Sequence, residues 1–333
     1  MTFLSEGQKQ HWLEHGFIKI PKCFTREAAE QFTSSVWTRL GFCPNDKSTW
    51  TSERVNMPGH TVVSVKDFAP RAWEAICELV GGEERVTDWC KEWRDSWIVN
   101  LGKPEYNPED ELEFRTLDNW HNDGDWFTHF LDSGEQALLV IPLFSDIKSK
   151  GGGTVICTDG IGLVAKHLYD HPEGTWPSLA SRGSPDLPTP ERGKLWKIWA
   201  SDPQLTREES FHEATGEVGD VYLLHPFMLH SASRNLLRDT RIITNPPVCL
   251  KEPFNYNRAD GRYSLVEQKT LRELGRPEGL PEWKIVAPRE MLTPARVQIQ
   301  EDMRRKELER LRMASESVTK LAIAKPLQTY YPS

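Results

Sequence analysis

No run in this chain of 333 residues approaches the roughly eighteen consecutive apolar residues of a membrane span, so none is expected. The first thirty residues are polar and interrupted, which argues against a secretory leader. A basic excess is missing too: 41 Lys and Arg stand against 49 Asp and Glu, a formal net charge of −8. Nucleic-acid binders carry a basic footprint, so no nucleic-acid partner is expected. Cys23, Cys43, Cys77, Cys90, Cys157 and Cys249 never come closer than 13 residues, which leaves no CxxC knuckle or redox pair. In a large chain without a leader, reduced and buried thiols are expected in place of disulfides. There is no internal repeat, and Tyr331-Pro332-Ser333 does not match the peroxisomal address. These absences point to a cytoplasmic protein with no membrane partner, and none of them bears on oligomeric state.

What the chain does have is core material. Hydrophobic residues make up 38%, with 13 Trp, 13 Phe and 7 Tyr, enough to exclude a disordered chain. Ser5 with Gln8 three residues on forms a capping box, and Gly16 stops the helix it opens. Residues 17–20 alternate as a strand up to Pro21. Thr25 caps a helix running to about residue 40. Residues 42–68 show no period. Two helical stretches are expected between 69 and 94, broken at Gly81-Gly82, and then a strand at 97–101.

From residue 113 the character changes to short strands: 114–120, 136–144, 154–157, 218–229 and 241–248, the last two joined by a polar turn over 231–239. Helices followed by repeated short strands predict a mainly β sandwich or barrel with flanking α-helices. Residues 172–193 hold five prolines and three glycines and read as a lid or an insertion. Thr293-Pro294 opens a final helix, laced by Glu301/Arg305 and Asp302/Lys306 pairs and balanced in charge, as a solvated helix is. The expected division is one domain over 1–290 and a helical appendage over 291–333.

The sharpest chemical signal is Trp120-His121-Asn122-Asp123-Gly124-Asp125. On a strand, His121 and Asp123 point to one face and offer a metal one imidazole nitrogen and one carboxylate oxygen. A third ligand is available at His225 or His230. Two histidines and one carboxylate leave open positions on the ion, which suits non-haem Fe(II) oxygen chemistry. By itself Asp123-Gly124-Asp125 is also ordinary turn chemistry. The spaced acids of a calcium loop are missing. Gly151-Gly152-Gly153-Thr154 lacks the ending of a phosphate loop.

These residues resemble the phytanoyl-CoA dioxygenase family of Fe(II)- and 2-oxoglutarate-dependent oxygenases. Residues 12–21 resemble that family's opening helix, glycine and strand, and His121-x-Asp123 its metal dyad. The run Gly219-Asp220-Val221-Tyr222-Leu223-Leu224-His225-Pro226, followed by Leu229-His230, resembles its late strand and distal histidine. Arg241 lies 11 residues beyond His230, where the family's 2-oxoglutarate-anchoring arginine stands; Arg238 is the spare candidate. The likeness spans roughly residues 5–250.

The resemblance implies a double-stranded β-helix, or jelly roll, of cupin-like form, with N-terminal helices and a C-terminal helix. It implies Fe(II) held by His121, Asp123 and His230 as metal ligands and catalytic residues, and 2-oxoglutarate bound at Arg241 with help from Ser231 and Ser233. Dioxygen would then oxidise an unactivated C–H bond of a small molecule, expected to belong to secondary metabolism, by hydroxylation, desaturation or cyclisation, with succinate and CO2 released. Trp126, Phe127 and His129 are the residues expected to face substrate. The chain departs from the family in two places: Ala232 stands where many relatives have serine, and Leu139 where better-known relatives have an aromatic residue. An intact Asp123 argues against halogenation. A metal-dependent hydrolase at the same three residues and a non-catalytic jelly-roll binding module remain alternatives. His167, His171 and His212 are read as surface residues.

Overall fold

The computed structural model describes residues 2–182 and 194–317. Helix α1 (Glu6–His15) starts at the Ser5–Gln8 capping box and ends at Gly16, whose φ of 69° suits a residue without a side chain. Strand β1 (Phe17–Ile20) follows. The expected single helix over 25–40 is two, α2 (Arg26–Thr33) and α3 (Val36–Leu40). Thr33 bonds back to the Ala29 carbonyl at 2.8 Å just before the break, the kind of back-bond that bends helices.

The stretch with no visible period forms β2 (Arg54–Asn56) and β3 (Val62–Ser64), then α4 (Val65–Phe68) and α5 (Pro70–Val80). No second helix follows Gly81-Gly82. Residues up to 94 make short turns and β4 (Glu92–Arg94), which pairs with β3. Strand β5 (Ile98–Asn100) is as expected.

Residues 114–120 are not a strand. Phe114–Thr116 is a single tight turn, and Arg115 is drawn away to Thr206, Ala200 and Glu208. Next come β6 (Leu138–Pro142), β7 (Thr154–Cys157), α6 (Gly160–Asp170), α7 (Lys194–Ser201) and β8 (Phe211–Ala214). The expected strand over 218–229 is split into β9 (Val221–Leu224) and β10 (Leu229–Ala232) by a turn in which Met228 N bonds His225 O at 3.0 Å. Pro226 in that turn has no N–H for a ladder. Ser231 and Ala232, read as part of a turn, are therefore strand residues. Strands β11 (Arg241–Ile243) and β12 (Pro247–Val248), then helices α8 (Leu265–Glu273) and α9 (Arg296–Ser317), complete the order.

The pairings are all antiparallel and assemble two layers. One runs β1-β9-β6-β12, and a bridge between Leu143 and Ile243 carries it on into β11-β5-β2. Leu139 opposite Pro247 and Leu143 opposite Ile243 keep one register, so β11 and β12 are a single strand interrupted at 244–246. The other layer is β8-β7-β10, extended by His121 bridging His230. From β5 onward the chain visits the first layer, the second at His121, the first at β6, the second at β7 and β8, the first at β9, the second at β10, and the first at β11. That path is the double-stranded β-helix. The layers touch through Arg241 Nη2 on Thr154 Oγ1 at 2.9 Å and Asn245 Nδ2 on Asp123 Oδ2 at 3.1 Å.

Helices close the outside. Trp12 is fully buried on α1 and donates its indole N–H to Leu265 O at 3.0 Å, tying α1 to α8. Helix α9 lies on α3 through Glu307, which meets Arg39 Nε at 2.9 Å and His60 Nε2 at 2.8 Å. Among the described residues no helix is long and apolar enough to cross a membrane. All six cysteines are free thiols, but only four are buried: Cys43 is exposed and Cys77 half-buried.

Candidate metal centre and cavity

His121 and His230 face each other because each bonds the other's backbone, N to O at 3.0 Å in both directions. Their rings lie 4.2 Å apart, centroid to centroid. Three residues beyond His121, the chain turns at Gly124 with φ 111°, where a Cβ would come within 2.6 Å of Phe127 and 2.9 Å of His129. The turn aims Asp123 back at both histidines: its Oδ1 is 3.5 Å from His121 Nε2 and 3.7 Å from His230 Nε2. One ligand atom from each residue lies within 4.8 Å of the other two.

The outward hydrogen bonds decide what these rings offer. His121 Nδ1 meets Asn119 O at 2.7 Å and His230 Nδ1 meets Met228 O at 3.1 Å. A carbonyl only accepts, so the proton sits on Nδ1 in both rings and each Nε2 presents a lone pair to the centre. Asn245 takes Asp123 Oδ2, leaving Oδ1 free. Three lone pairs converging from ligands whose other atoms are fixed by the protein is the donor set of a metal site with open positions.

Charge follows the same geometry. Burial is the largest influence on Asp123 and would raise its pKa. The two imidazoles beside it outweigh that, holding the carboxyl well below its ordinary range. Burial lowers His121, yet Asp123 more than offsets it and the pKa rises. His230, more deeply buried and beside His121, is pushed down to about 4.

Between the layers, beside this centre, lies a cavity of about 1050 Å³. Strand alternation turns His230 and Ala232 of β10, Arg241 and Ile243 of β11 and Leu139 and Ile141 of β6 into it. Arg241 is buried, and among the described residues no carboxylate lies within 4 Å of it. It donates to Thr154 Oγ1 and, at 3.4 Å, to Ile98 O, while its Nε has no partner. Burial, then the charge of Arg54, push its pKa down to about 9. A guanidinium has the planar fork that fits a carboxylate.

The other expected site residues divide. Trp126 lines the cavity. Phe127 and His129 do not: their rings stack at 4.5 Å behind Gly124, and His129 Nε2 bonds Gly124 O at 2.6 Å. Burial of that imidazole pushes its pKa to about 4. Ser231 and Ser233 lie on the far side of their strand from His230 and Ala232, with the Ser233 hydroxyl 3.5 Å from Glu213, so neither is brought to the cavity. His225 spends both ring nitrogens on the protein, accepting from Phe227 N at 3.2 Å and donating to Thr270 Oγ1 at 3.0 Å. Arg238 points away, its Nη2 3.3 Å from Lys47 O. His167 and His212 are half-buried, not surface: His167 bonds Leu179 O at 2.8 Å, and His212 is on β8.

Of the loop at 172–193, Thr175 bridges His129 and Pro177 reaches the cavity; residues 183–193 lie outside the described residues. Sequence reasoning missed Asn245, the α9 residues Val297, Gln300 and Arg304 that wall the cavity, and Arg54. Arg54 falls in the stretch 42–68 that shows no period, so nothing in the sequence marked it.

No protein-family model and no curated protein sequence matches the chain. Among solved structures it is similar to HygX from Streptomyces hygroscopicus with nickel, 2-oxoglutarate and hygromycin B bound, at 13% identity, covering 77% of this chain and 90% of that one, TM-score 0.41. It is also similar to the non-haem 2-oxoglutarate-dependent carbocyclase SnoK from nogalamycin biosynthesis, at 16% identity over 88% and 99% of the two chains, TM-score 0.41. EctD from S. alaskensis, with 2-oxoglutarate and 5-hydroxyectoine, is similar at 13% identity over 73% and 74%, TM-score 0.39. Likenesses this distant carry no argument about the residues of this chain.

Proposed function

We propose that this protein is a non-haem Fe(II)- and 2-oxoglutarate-dependent oxygenase of a small molecule, of the phytanoyl-CoA dioxygenase type that its sequence resembles. The observation that carries the reading is the pairing of two features in one cavity. Three lone pairs converge from His121, Asp123 and His230, and behind them Arg241 is buried without a carboxylate. A metal hydrolase needs only the first feature.

When bound, iron and 2-oxoglutarate supply the oxygen chemistry: O2 and the 2-oxo acid are consumed, CO2 and succinate leave, and an unactivated C–H bond is oxidised. The chain's own part is positional. His121, Asp123 and His230 hold one side of the ion, and Asn119, Met228 and Asn245 fix their orientation. Arg241 takes the distal carboxylate of 2-oxoglutarate. Thr154, which holds Arg241, lies two residues along β7 from the position opposite His230, roughly 7 Å at strand rise and within reach of a five-carbon diacid. Leu139, Ile141, Ile243 and Trp126 keep the space apolar for a small substrate, for which secondary metabolism is the proposed setting.

Anaerobic titration of metal-free protein with Fe(II) and then 2-oxoglutarate tests this by the visible charge-transfer band of the chelate. The band is expected in the wild type, absent in His230→Ala, and to need at least tenfold more 2-oxoglutarate in Arg241→Ala, on the order of one charge-assisted hydrogen bond lost. A folded wild type that binds metal but gives no band would return the site to the hydrolase reading.

A further inference from the structure

The sheet β11-β5-β2 places two arginines on one row. Arg241 is opposite Asn100 from one side and Arg54 is opposite the same Asn100 from the other. Residues directly opposite one another in antiparallel strands share a face. The next row on that face is Ile243, Ile98 and Asn56. Arg241, Arg54, Ile243, Ile98 and Asn56 all line the cavity of the metal centre, so this face of the sheet is its wall.

Two guanidiniums on one row repel, and the nearest acids, Glu53 and Glu213, are largely engaged elsewhere. Arg54 Nε is 4.0 Å from Glu53 Oε1, too far for a hydrogen bond. Glu53 is already engaged by the Tyr106 hydroxyl at 2.8 Å and by Lys103 at 3.6 Å. Glu213, the acid that partly offsets Arg241, has its Oε2 turned to Ser149 Oγ at 3.1 Å and Lys150 N at 3.2 Å. Arg241 keeps a buried Nε with no partner. On the adjoining wall the chain has Ala232, which offers no hydroxyl to an anion.

We infer that Arg54 is a second anchor for the distal carboxylate of 2-oxoglutarate, sharing it with Arg241 and supplying the contact that Ala232 cannot make. The inference rests on the proposed oxygenase function. A carboxylate has two oxygens and about four acceptor sites, so it can serve both forks. It also relieves the repulsion along the row, which a neutral ligand would leave in place. Arg54 is exposed where Arg241 is buried, which makes Arg54 the partner on the solvent side of the pair.

The test compares two ligands on the Fe(II)-loaded protein without oxygen, read by the chelate band. One is 2-oxoglutarate; the other is 2-oxopentanoate, which has the same chelating head and chain length but no distal carboxylate. Arg54→Gln is expected to raise the Kd for 2-oxoglutarate about tenfold. It should leave the Kd for 2-oxopentanoate and the urea midpoint unchanged, and Arg54→Lys should recover part of the loss. Equal Kd values in wild type and Arg54→Gln overturn the inference, as does equal weakening of both ligands, which would mark a structural effect. Intact 2-oxoglutarate binding with a raised substrate KM would reassign Arg54 to the substrate and also overturn it. In each of these cases wild-type binding of 2-oxoglutarate leaves the oxygenase reading standing. No band in the wild type would sink that reading and this inference with it.

Discussion

Each histidine in this site is defined by where its two nitrogens go. His225 and His230 lie five residues apart, and either could have closed a metal site as far as spacing tells. Their hydrogen bonds separate them. His230 gives Nδ1 to Met228 O and keeps Nε2 for the centre. His225 accepts at Nδ1 and donates at Nε2, so it must stay neutral, and burial first, then Lys269, push its pKa down to about 3. The sign of the consequence follows from linkage. Below its ordinary value of 6.5 the unfolded imidazole takes a proton that the folded one refuses, so stability falls with pH from about 6.5 to about 3. Urea unfolding across that range should show the His225→Gln variant with a slope smaller by one proton, about 1.4 kcal/mol per pH unit. Equal slopes would mean that His225 is protonated in the folded protein.

At the scale of elements, much of the secondary structure was legible because local chemistry dictates it. The Ser5 capping box, the Gly16 stop and the alternation of 17–20 give α1 and β1 at the expected residues. The strand at 114–120 that is absent and the short strands that went unseen share one cause. Residues 114–120 have strand-like composition but no neighbour to pair with until His121, and Arg115 holds them elsewhere. The short strands β2, β3 and β8 exist because partners across the sheet complete their ladders, and three or four residues carry too little period to be seen alone. Gly219, at the entry to β9, shows an element fixed by its neighbours: its φ is 96°, and a Cβ there would lie 2.2 Å from the backbone oxygen of Phe24. Gly219→Ala is expected to lower stability by about 1–3 kcal/mol or more, since strain and a backbone clash act together. An unchanged thermal midpoint would show that the β1–β9 corner yields without cost.

Over the whole molecule, the C-terminal helix closes the structure that the N-terminal third begins. Arg39 is fully buried on α3 and divides its guanidinium between Asp95 at 2.9 Å and Glu307 of α9 at 2.9 Å, while His60 also bonds Glu307. At the start of α9, Arg296 grips Asp125, two residues beyond Asp123, through two bonds of 2.8 Å. The helix that reads as a solvated, charge-balanced rod thus spends Glu307 in the interior and its first turns on the cavity wall. Removing Glu307 leaves a buried positive charge short of a partner, so Glu307→Ala should destabilise by about 3–5 kcal/mol in urea. A loss below about 1 kcal/mol, the size of a surface pair, would mean α9 is dispensable to the fold.

The sequence by itself determined the candidate ligand types and their order, His121-x-Asp123 early, then His225 or His230, with Arg241 after them, because chemistry restricts which side chains can bind a metal or a carboxylate. It also determined the strand-rich character of the second half, through alternation and turn residues. The tertiary structure decided which nitrogen of each histidine is free, that Ser231 and Ser233 face away, that Phe127 and His129 support Gly124 from behind, and that Arg54 stands in the row of Arg241. Those are matters of register and side-chain direction. The strand faces and the arginine row are set by pairing between residues distant in sequence, Arg54 and Arg241 with Asn100 and His230 with Ile156, which local composition does not encode.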